Sequence, residues 1–412
     1  MNPRELLLAS YRAAIAAADP QHIVPPHLPA PPHGRTLAVG AGKAAASMAL
    51  AFERRWPADA PLDGIVITRY AHGLPTQRIR VVEAGHPVPD AAGEAAARDI
   101  LALARELRED DLLVALISGG GSSLLALPAS GVTMAALKQM TQDLLRCGAP
   151  IQEINTVRKH LSAIQGGRLA AATRARVLAL IISDVTGDDP THIASGPCTP
   201  DPTTCADAAA VLEKYGIPAP GPFTETPKPG DVAFAHVENR VIATAHSSLE
   251  AAAEVFRAAG MPPAILGDSI TGEASEVAKV MAALVREVRG HGSPFQPPVA
   301  LISGGECTVT VRSKNGRGGR CSEFLLSLGV ELDGMVSVHA IAADTDGIDG
   351  SEDNAGALLT PDSLARARAK GLDTRKLLAA NDSYGFFSAL GDLVITGPTR
   401  TNVNDYRAIL VG

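Results

Sequence analysis

Four short apolar runs each empty into a loop of glycine, serine or aspartate, and that recurrence constrains the fold more than any other feature. Thr36–Val39 opens into Gly40-Ala41-Gly42-Lys43, and Leu112–Ile117 ends in Ser118-Gly119-Gly120-Gly121-Ser122-Ser123. Val177–Ile182 ends in Ser183-Asp184-Val185-Thr186-Gly187-Asp188-Asp189, and Val299–Ile302 in Ser303-Gly304-Gly305-Glu306. A strand that is apolar at nearly every position is buried on both faces, as in a parallel sheet covered by helices. Helices are expected between the runs, at 90–107, 133–146, 152–173, 247–259 and 272–289. The fold class that follows is α/β, with ligands at the carboxyl ends of the strands.

Residues 216–231 are rich in proline and glycine and lack periodicity, which marks a domain boundary or long connection. Two domains are expected on this basis. Residues 1–230 form a Rossmann-like domain built on a parallel sheet, and residues 231–412 a smaller α/β domain. The last segment is a candidate to pack back on the first domain, and an active-site cleft is expected between the two.

With 412 residues, each domain is large enough to bury its own core. Aromatic residues make up 3% of the chain, too few for the stacking platforms of single-strand binders. The net charge of −7 argues against a nucleic-acid or anionic-membrane surface. Five cysteines without a C-x-x-C pair point to a reducing compartment, with neither a disulfide frame nor a cysteine-rich zinc site. No secretory leader or membrane span is expected, so the protein reads as cytoplasmic.

The loops carry the chemistry. Gly40-x-Gly42-x-x-Ala45 matches a loose dinucleotide fingerprint, but the second strand ends in Thr68-Arg69, without the acid that binds a ribose. An arginine there keeps an NADP-linked reductase open. A P-loop fails, because Leu37 and Ala44 stand where glycine and serine or threonine are required. Lys43 suits the negative charge that develops on a phosphoryl group at a helix N-terminus. The glycines and hydroxyls of Ser118–Ser123 suit an anion-binding nest, and their spacing is not that of a serine-hydrolase elbow. Asp184 is the acid nearest its strand end, a partner for Mg²⁺ or a hydroxyl, whereas Asp188 and Asp189 suit helix capping.

In the last third, Ser303-Gly304-Gly305-Glu306 is followed by an alternating strand from Cys307 to Arg312 and a glycine-rich turn carrying Arg317 and Arg320. A helix then runs to Leu332, and a further strand (Val336–Ala342) leads into Asp344-Thr345-Asp346-Gly347-Ile348-Asp349-Gly350. That loop is no EF-hand, because Ala355 stands at the twelfth position and a strand precedes it. Arginines beside Asp344, Asp346 and Asp349 suit phosphate oxygens and Mg²⁺, a combination that suggests phosphoryl transfer. No H-x-x-x-H or H-E-x-x-H pair supports a zinc hydrolase.

The ordered motifs resemble the two-part glycerate 2-kinases, whose C-terminal part is called MOFRL. They are Val39–Ala44, Glu83–Asp90, Ser118–Ser123, Asn155–Ser162, Gly166–Ala170, Ser183–Asp189, Ser303–Glu306, Gly318–Arg320, Asp344–Gly350, Thr396–Pro398 and Thr401–Asp405. The resemblance implies ATP- and Mg²⁺-dependent phosphorylation of D-glycerate, commonly at the 2-hydroxyl, in a cleft between the domains. ATP phosphates would lie over Ser118–Ser123, with the Ser303–Glu306 loop a second cofactor-binding element. By position Lys43 matches the family's cleft lysine and Arg320 its cleft arginine, the expected clamp on glycerate's carboxylate. The family is also labelled hydroxypyruvate reductase, which is the alternative activity. Departures are Cys321 and Ser322 after the arginine, Thr186 in the aspartate loop and Arg400 near the C-terminus. The expected partner is a small-molecule substrate, with a homodimer left open.

Overall fold

The computed structural model describes residues 2–313 and 315–412. The chain divides into two compact units, Pro20–Ile242 and Met1–Asp19 together with Ala243–Gly412.

The first unit holds strands β1 (Thr36–Ala41), β2 (Leu62–Arg69), β3 (Ile79–Ala84), β4 (Leu112–Ile117), β5 (Arg176–Ile182) and β6 (Val237–Ala243). Their order is β3-β2-β1-β4-β5-β6, with β3/β2, β2/β1, β1/β4 and β4/β5 parallel. Every residue of β1 and β4 is buried. One face meets helix Ala91–Arg105, whose Ala96, Ala97, Ile100, Leu101 and Ala104 pack on Leu37, Val39, Leu113 and Ala115. Asp90 starts that helix by accepting from the Gly93 amide. This is the doubly wound order, and its direction reverses between β1 and β4.

The expected helix at 152–173 is two helices, Ile151–His160 and Arg168–Ala171, separated by Gly166 and Gly167 in the left-handed region. The proline-rich stretch is not a free connector. The Thr224 amide donates to His160 O, the Asp201 amide to Pro227 O, and Arg168 to Thr224 O. Residues 231–242 stay with the first unit because β6 is the edge strand of its sheet.

The second unit holds β7 (Pro263–Gly267), β8 (Gly272–Glu273), β9 (Val299–Ser303), β10 (Cys307–Thr308), β11 (Val338–Asp344), β12 (Gly356–Leu359), β13 (Leu393–Val394) and β14 (Asp405–Val411). The main sheet runs β13-β12-β11-β14-β9-β7 and is mixed, with β14 antiparallel to both neighbours. The alternating strand expected through Arg312 ends at Thr308, and β10 pairs with β8. The last segment, β14, lies inside the second sheet with all seven residues buried. It is helix Pro3–Ala16 that crosses the chain. Its Leu6, Leu7, Tyr11 and Ala14 pack with Leu249 and Phe256 of helix Ala245–Ala258 on Ile341, Tyr406 and Ala408. Tyr11 Oη also donates to Asp344 O at 2.7 Å and Tyr406 Oη to Ser10 Oγ at 2.8 Å. Helices Ala274–His291 and Arg320–Leu332 cover the opposite face.

Candidate functional site

In the first unit, three expected elements leave neighbouring strands at the same edge. Lys43 follows β1, Ser118–Ser123 follow β4 and Asp184 follows β5. This is the switch point, where open α/β sheets place their ligands. The turn after β1 is laced to the loop after β4. The Lys43 amide donates to Gly119 O at 2.8 Å, the Ala44 amide to Ser118 Oγ at 3.0 Å, and the Ser118 amide to Ala41 O at 3.1 Å. A Cβ on Gly42 would lie 2.1 Å from Ser118 Oγ, so glycine is required there. The helix N-terminus expected to hold phosphate therefore has its first amides occupied, and Lys43 can contribute only its side chain. Among the described residues, the amides of Gly119 and Gly120 have no partner. The Lys43 stem and the His86 ring lie against Gly120. Donors at the end of a buried strand, beside a lysine, can bind an anion.

The glycine loop continues into residues that the motif reading left without a role. Ser122 Oγ and Ser195 Oγ are 2.8 Å apart, and Ser195 Oγ donates to Asn155 Oδ1 at 3.3 Å. Gln165 Nε2 donates to Ser122 O at 2.8 Å. Ala194 and Ser195 both have positive φ, 51° and 58°, a strained conformation for residues with side chains and one that clusters at functional sites. Asn155 stands in a recognisable motif, but Ser195 has no local signal and reaches Ser122 only through the fold. Lys159, from the same motif, forms a buried pair with Asp201 at 2.8 Å.

In the second unit the charged motifs converge on one another. Arg320, a quarter exposed, donates from Nε to Asp405 Oδ1 at 2.8 Å and from Nη2 to Asp344 Oδ2 at 2.7 Å, and its Nη1 lies 2.9 Å from Glu306 Oε1. Asp344 and Asp405 face each other across the β11/β14 pair, which places both at the start of helix Arg320–Leu332. The expected Arg320 clamp on a substrate carboxylate is not the arrangement found, because three protein carboxylates already hold its fork. Asp405 is the functional candidate the motif reading passed over.

Asp349 also differs from expectation. Its Oδ1 accepts from the Cys321 amide at 2.9 Å, and its Oδ2 from the Ser322 amide at 2.8 Å and the Ser322 hydroxyl at 2.6 Å. Asp349 thus caps the helix rather than presenting oxygens to a metal ion. Burial pushes its pKa up to about 6, against the lowering effect of those bonds. The glycine pair serves the same contact, since a Cβ on Gly319 would lie 2.2 Å from Asp349 Oδ1. Asp346 accepts from the Ile348 amide at 2.9 Å and donates its own amide to Asp344 Oδ1 at 3.0 Å. The Ser303–Glu306 loop is anchored from below. Buried Arg407 donates to Gly304 O and Gly305 O, and the Gly304 amide donates to Gly267 O at 2.8 Å.

A hard divalent cation takes oxygen ligands, and each carboxylate oxygen has two acceptor sites. Asp344 and Asp405 offer such oxygens beside Glu306, with the Arg320 guanidinium bonded among them. Asp349 does not fit. A second grouping joins His160, Cys205 and Glu225, with one ligand atom of each within 4.8 Å of the others. The Lys228 ammonium sits on Glu225, in competition with a cation there. No helix among the described residues is long and apolar enough to cross a membrane.

The profile of a domain of unknown function (DUF4147) matches residues 6–224, and that of the MOFRL family matches residues 299–405. The chain is 39% identical to a D-glycerate 2-kinase of Thermotoga maritima, over 98% of this chain and 97% of that one. This chain belongs to the glycerate 2-kinase family. A protein of Agrobacterium vitis named for hydroxypyruvate reductase is 53% identical, over 100% of this chain and 95% of that one. The crystal structure of a glycerate kinase from Thermotoga maritima matches with a TM-score of 0.89 at 38% identity, covering 99% of each chain. The resemblance read from the motifs and the α/β fold class both hold.

Proposed function

We propose that this protein transfers the terminal phosphoryl group of ATP to the 2-hydroxyl of D-glycerate. The observation that carries the proposal is the grouping of Lys43, the Gly119 and Gly120 amides and Asp184 on three adjacent strand ends at the switch point. Kinship with a D-glycerate 2-kinase over nearly the whole chain supplies the acceptor. Lys43 neutralises phosphoryl oxygens as charge builds in the transition state, and the loop amides hold the phosphates in line. Positioning and charge provide most of the rate in such transfers. Asp184 orients the attacking hydroxyl. Mg²⁺, when bound to ATP, screens the charge of its phosphates. In the second unit Arg320 keeps the carboxylates of Asp344, Asp405 and Glu306 together, the candidate cation ligands there.

Hydroxypyruvate reduction is the second candidate, favoured by the doubly wound strand order and by the name of the Agrobacterium vitis relative. The turn after β1 weighs against it. In a dinucleotide site the second glycine and the helix amides admit a pyrophosphate. Here that space faces Ser118, and the amides of Lys43 and Ala44 are bonded to the neighbouring loop.

A paired assay on purified protein tests the choice. One arm follows ADP release with ATP, Mg²⁺ and D-glycerate, and the other follows NADPH oxidation with hydroxypyruvate. ADP release that requires glycerate is expected. NADPH loss without ADP release would overturn the kinase.

A further inference from the structure

A buried guanidinium is ordinarily matched by a carboxylate, because a charge out of water without a counter-charge is costly. Lys159 obeys that rule through Asp201. Its neighbour Arg158 does not. On helix Ile151–His160, Arg158 donates from Nε to Thr141 Oγ1 at 3.4 Å and from Nη1 to Asn155 Oδ1 at 3.5 Å. Both bonds are long and both acceptors are neutral. Among the described residues no carboxylate forms an ion pair with it, and burial alone draws its pKa down to about 10. The residue as a whole is only partly buried.

The position connects Arg158 to the site. Asn155 Oδ1 accepts from both Arg158 and Ser195, and the Ser195 hydroxyl is bonded to that of Ser122 in the glycine loop. Asn155 is fixed in turn by donating Nδ2 to His192 O at 3.4 Å. A planar guanidinium with unused N–H groups, linked through two polar residues to a candidate phosphate loop, is matched to a ligand carboxylate. The other arginines of interest are engaged: Arg320 by three carboxylates, and Arg168 by carbonyls of Lys159, Gln165, Thr224 and Glu225.

We infer that Arg158 is the subsite for the acceptor's carboxylate, so that a small 2-hydroxycarboxylate docks on its fork with Asn155 and Ser195 between it and the glycine loop. This rests on the proposed transfer to D-glycerate and assigns the anchor within it. The carboxylate supplies the missing counter-charge, and substrates without one lose their grip.

The test is Arg158→Gln, which removes the charge and retains a polar chain, beside Arg158→Lys, which keeps the charge and loses the fork. The expected result is a KM for D-glycerate raised roughly 10–100-fold, the scale of losing charge-assisted hydrogen bonds. The KM for ATP stays unchanged and kcat within a few-fold. The thermal midpoint without ligand is not lowered, because an unmatched charge has been removed. Arg158→Lys recovers part of the KM. Folded Arg158→Gln with the wild-type glycerate KM would overturn the assignment while leaving the kinase intact. Calorimetric titration of D-glycerate and of hydroxypyruvate into wild type and variant covers the case of no turnover. Carboxylate binding lost in Arg158→Gln supports the subsite even if the kinase fails, and binding retained overturns it.

Discussion

Arg320 and Arg158 are the same residue type in opposite electrostatic states. Arg320 opens its helix beside glycines, in a motif that reads as an anion grip, and three carboxylates of its own chain hold it. Arg158 sits in the last turn of its helix, in an unremarked part of a motif, with two long bonds to neutral oxygens. A conspicuous charge can be satisfied within the fold, and an inconspicuous one can await a ligand. The same contrast separates the two regions around them. The charge cluster around Arg320 in the second unit is matched internally, so substitutions there should act first on stability. The switch-point loops of the first unit place Lys43 beside the Gly119 and Gly120 amides, which have no partner among the described residues, so substitutions there should act on kinetics.

The largest effect should come from Lys43→Ala. Loss of one preorganised charge contact to the transition state lowers kcat by roughly 10²–10³-fold, with an unchanged thermal midpoint. Steady-state kinetics and thermal unfolding of the same preparation check this, and a fall in both would erase the contrast.

Arg320→Ala should lower stability. It leaves Asp344 and Asp405, both almost fully buried, without their counter-charge. A loss of about 3 kcal/mol is expected, the lower end for breaking a buried pair because Arg320 is partly exposed. Denaturant unfolding measures it. Unchanged stability would mean the carboxylates are not held by this arginine.

Glu323 gives the second unit a pH signature. It is buried on the first turn of helix Arg320–Leu332, where burial pushes its pKa up to about 7 and a bond from Asn381 Nδ2 pulls the other way. The folded protein thus holds this proton more tightly than the unfolded chain. The stabilisation is full below about pH 4.5 and is lost as pH rises through about 7, at most about 3 kcal/mol. Unfolding measured against pH for wild type and Glu323→Gln, which keeps the Asn381 bond, should show the wild type losing ground across that window. A constant gap would refute the shift.

The smallest effect is at the helix cap. Ser322→Ala removes the hydroxyl that donates to Asp349 and should cost about 1–2 kcal/mol, with kcat nearly unchanged. A large fall in kcat at full stability would return Asp349 to the catalytic apparatus.

Much of the fold was legible because its signals are local. β4 is apolar throughout, Gly42 and Gly120 mark turns, and Asp90 announces the helix it caps. What escaped depends on distant pairings. Nothing in Asp405–Val411 says that it is a central antiparallel strand, and nothing in Pro3–Ala16 says that its apolar face is completed by helix Ala245–Ala258. The candidate site divides in the same way. Lys43 and the glycine loop followed from strand-end motifs. Asp349 reads as a metal ligand until the Cys321 and Ser322 amides are seen to occupy it. Ser195 and Arg158 acquire meaning only when the chain brings Ser122 and Asn155 to them.

The most direct test of the account is the phosphorus spectrum of the product formed from ATP, Mg²⁺ and D-glycerate. A new phosphomonoester signal that needs both the protein and glycerate, split by the single proton on carbon 2, is the predicted result. A signal split by two methylene protons would move the transfer to the 3-hydroxyl, and no glycerate-dependent phosphorus signal at all would contradict phosphoryl transfer to this acceptor.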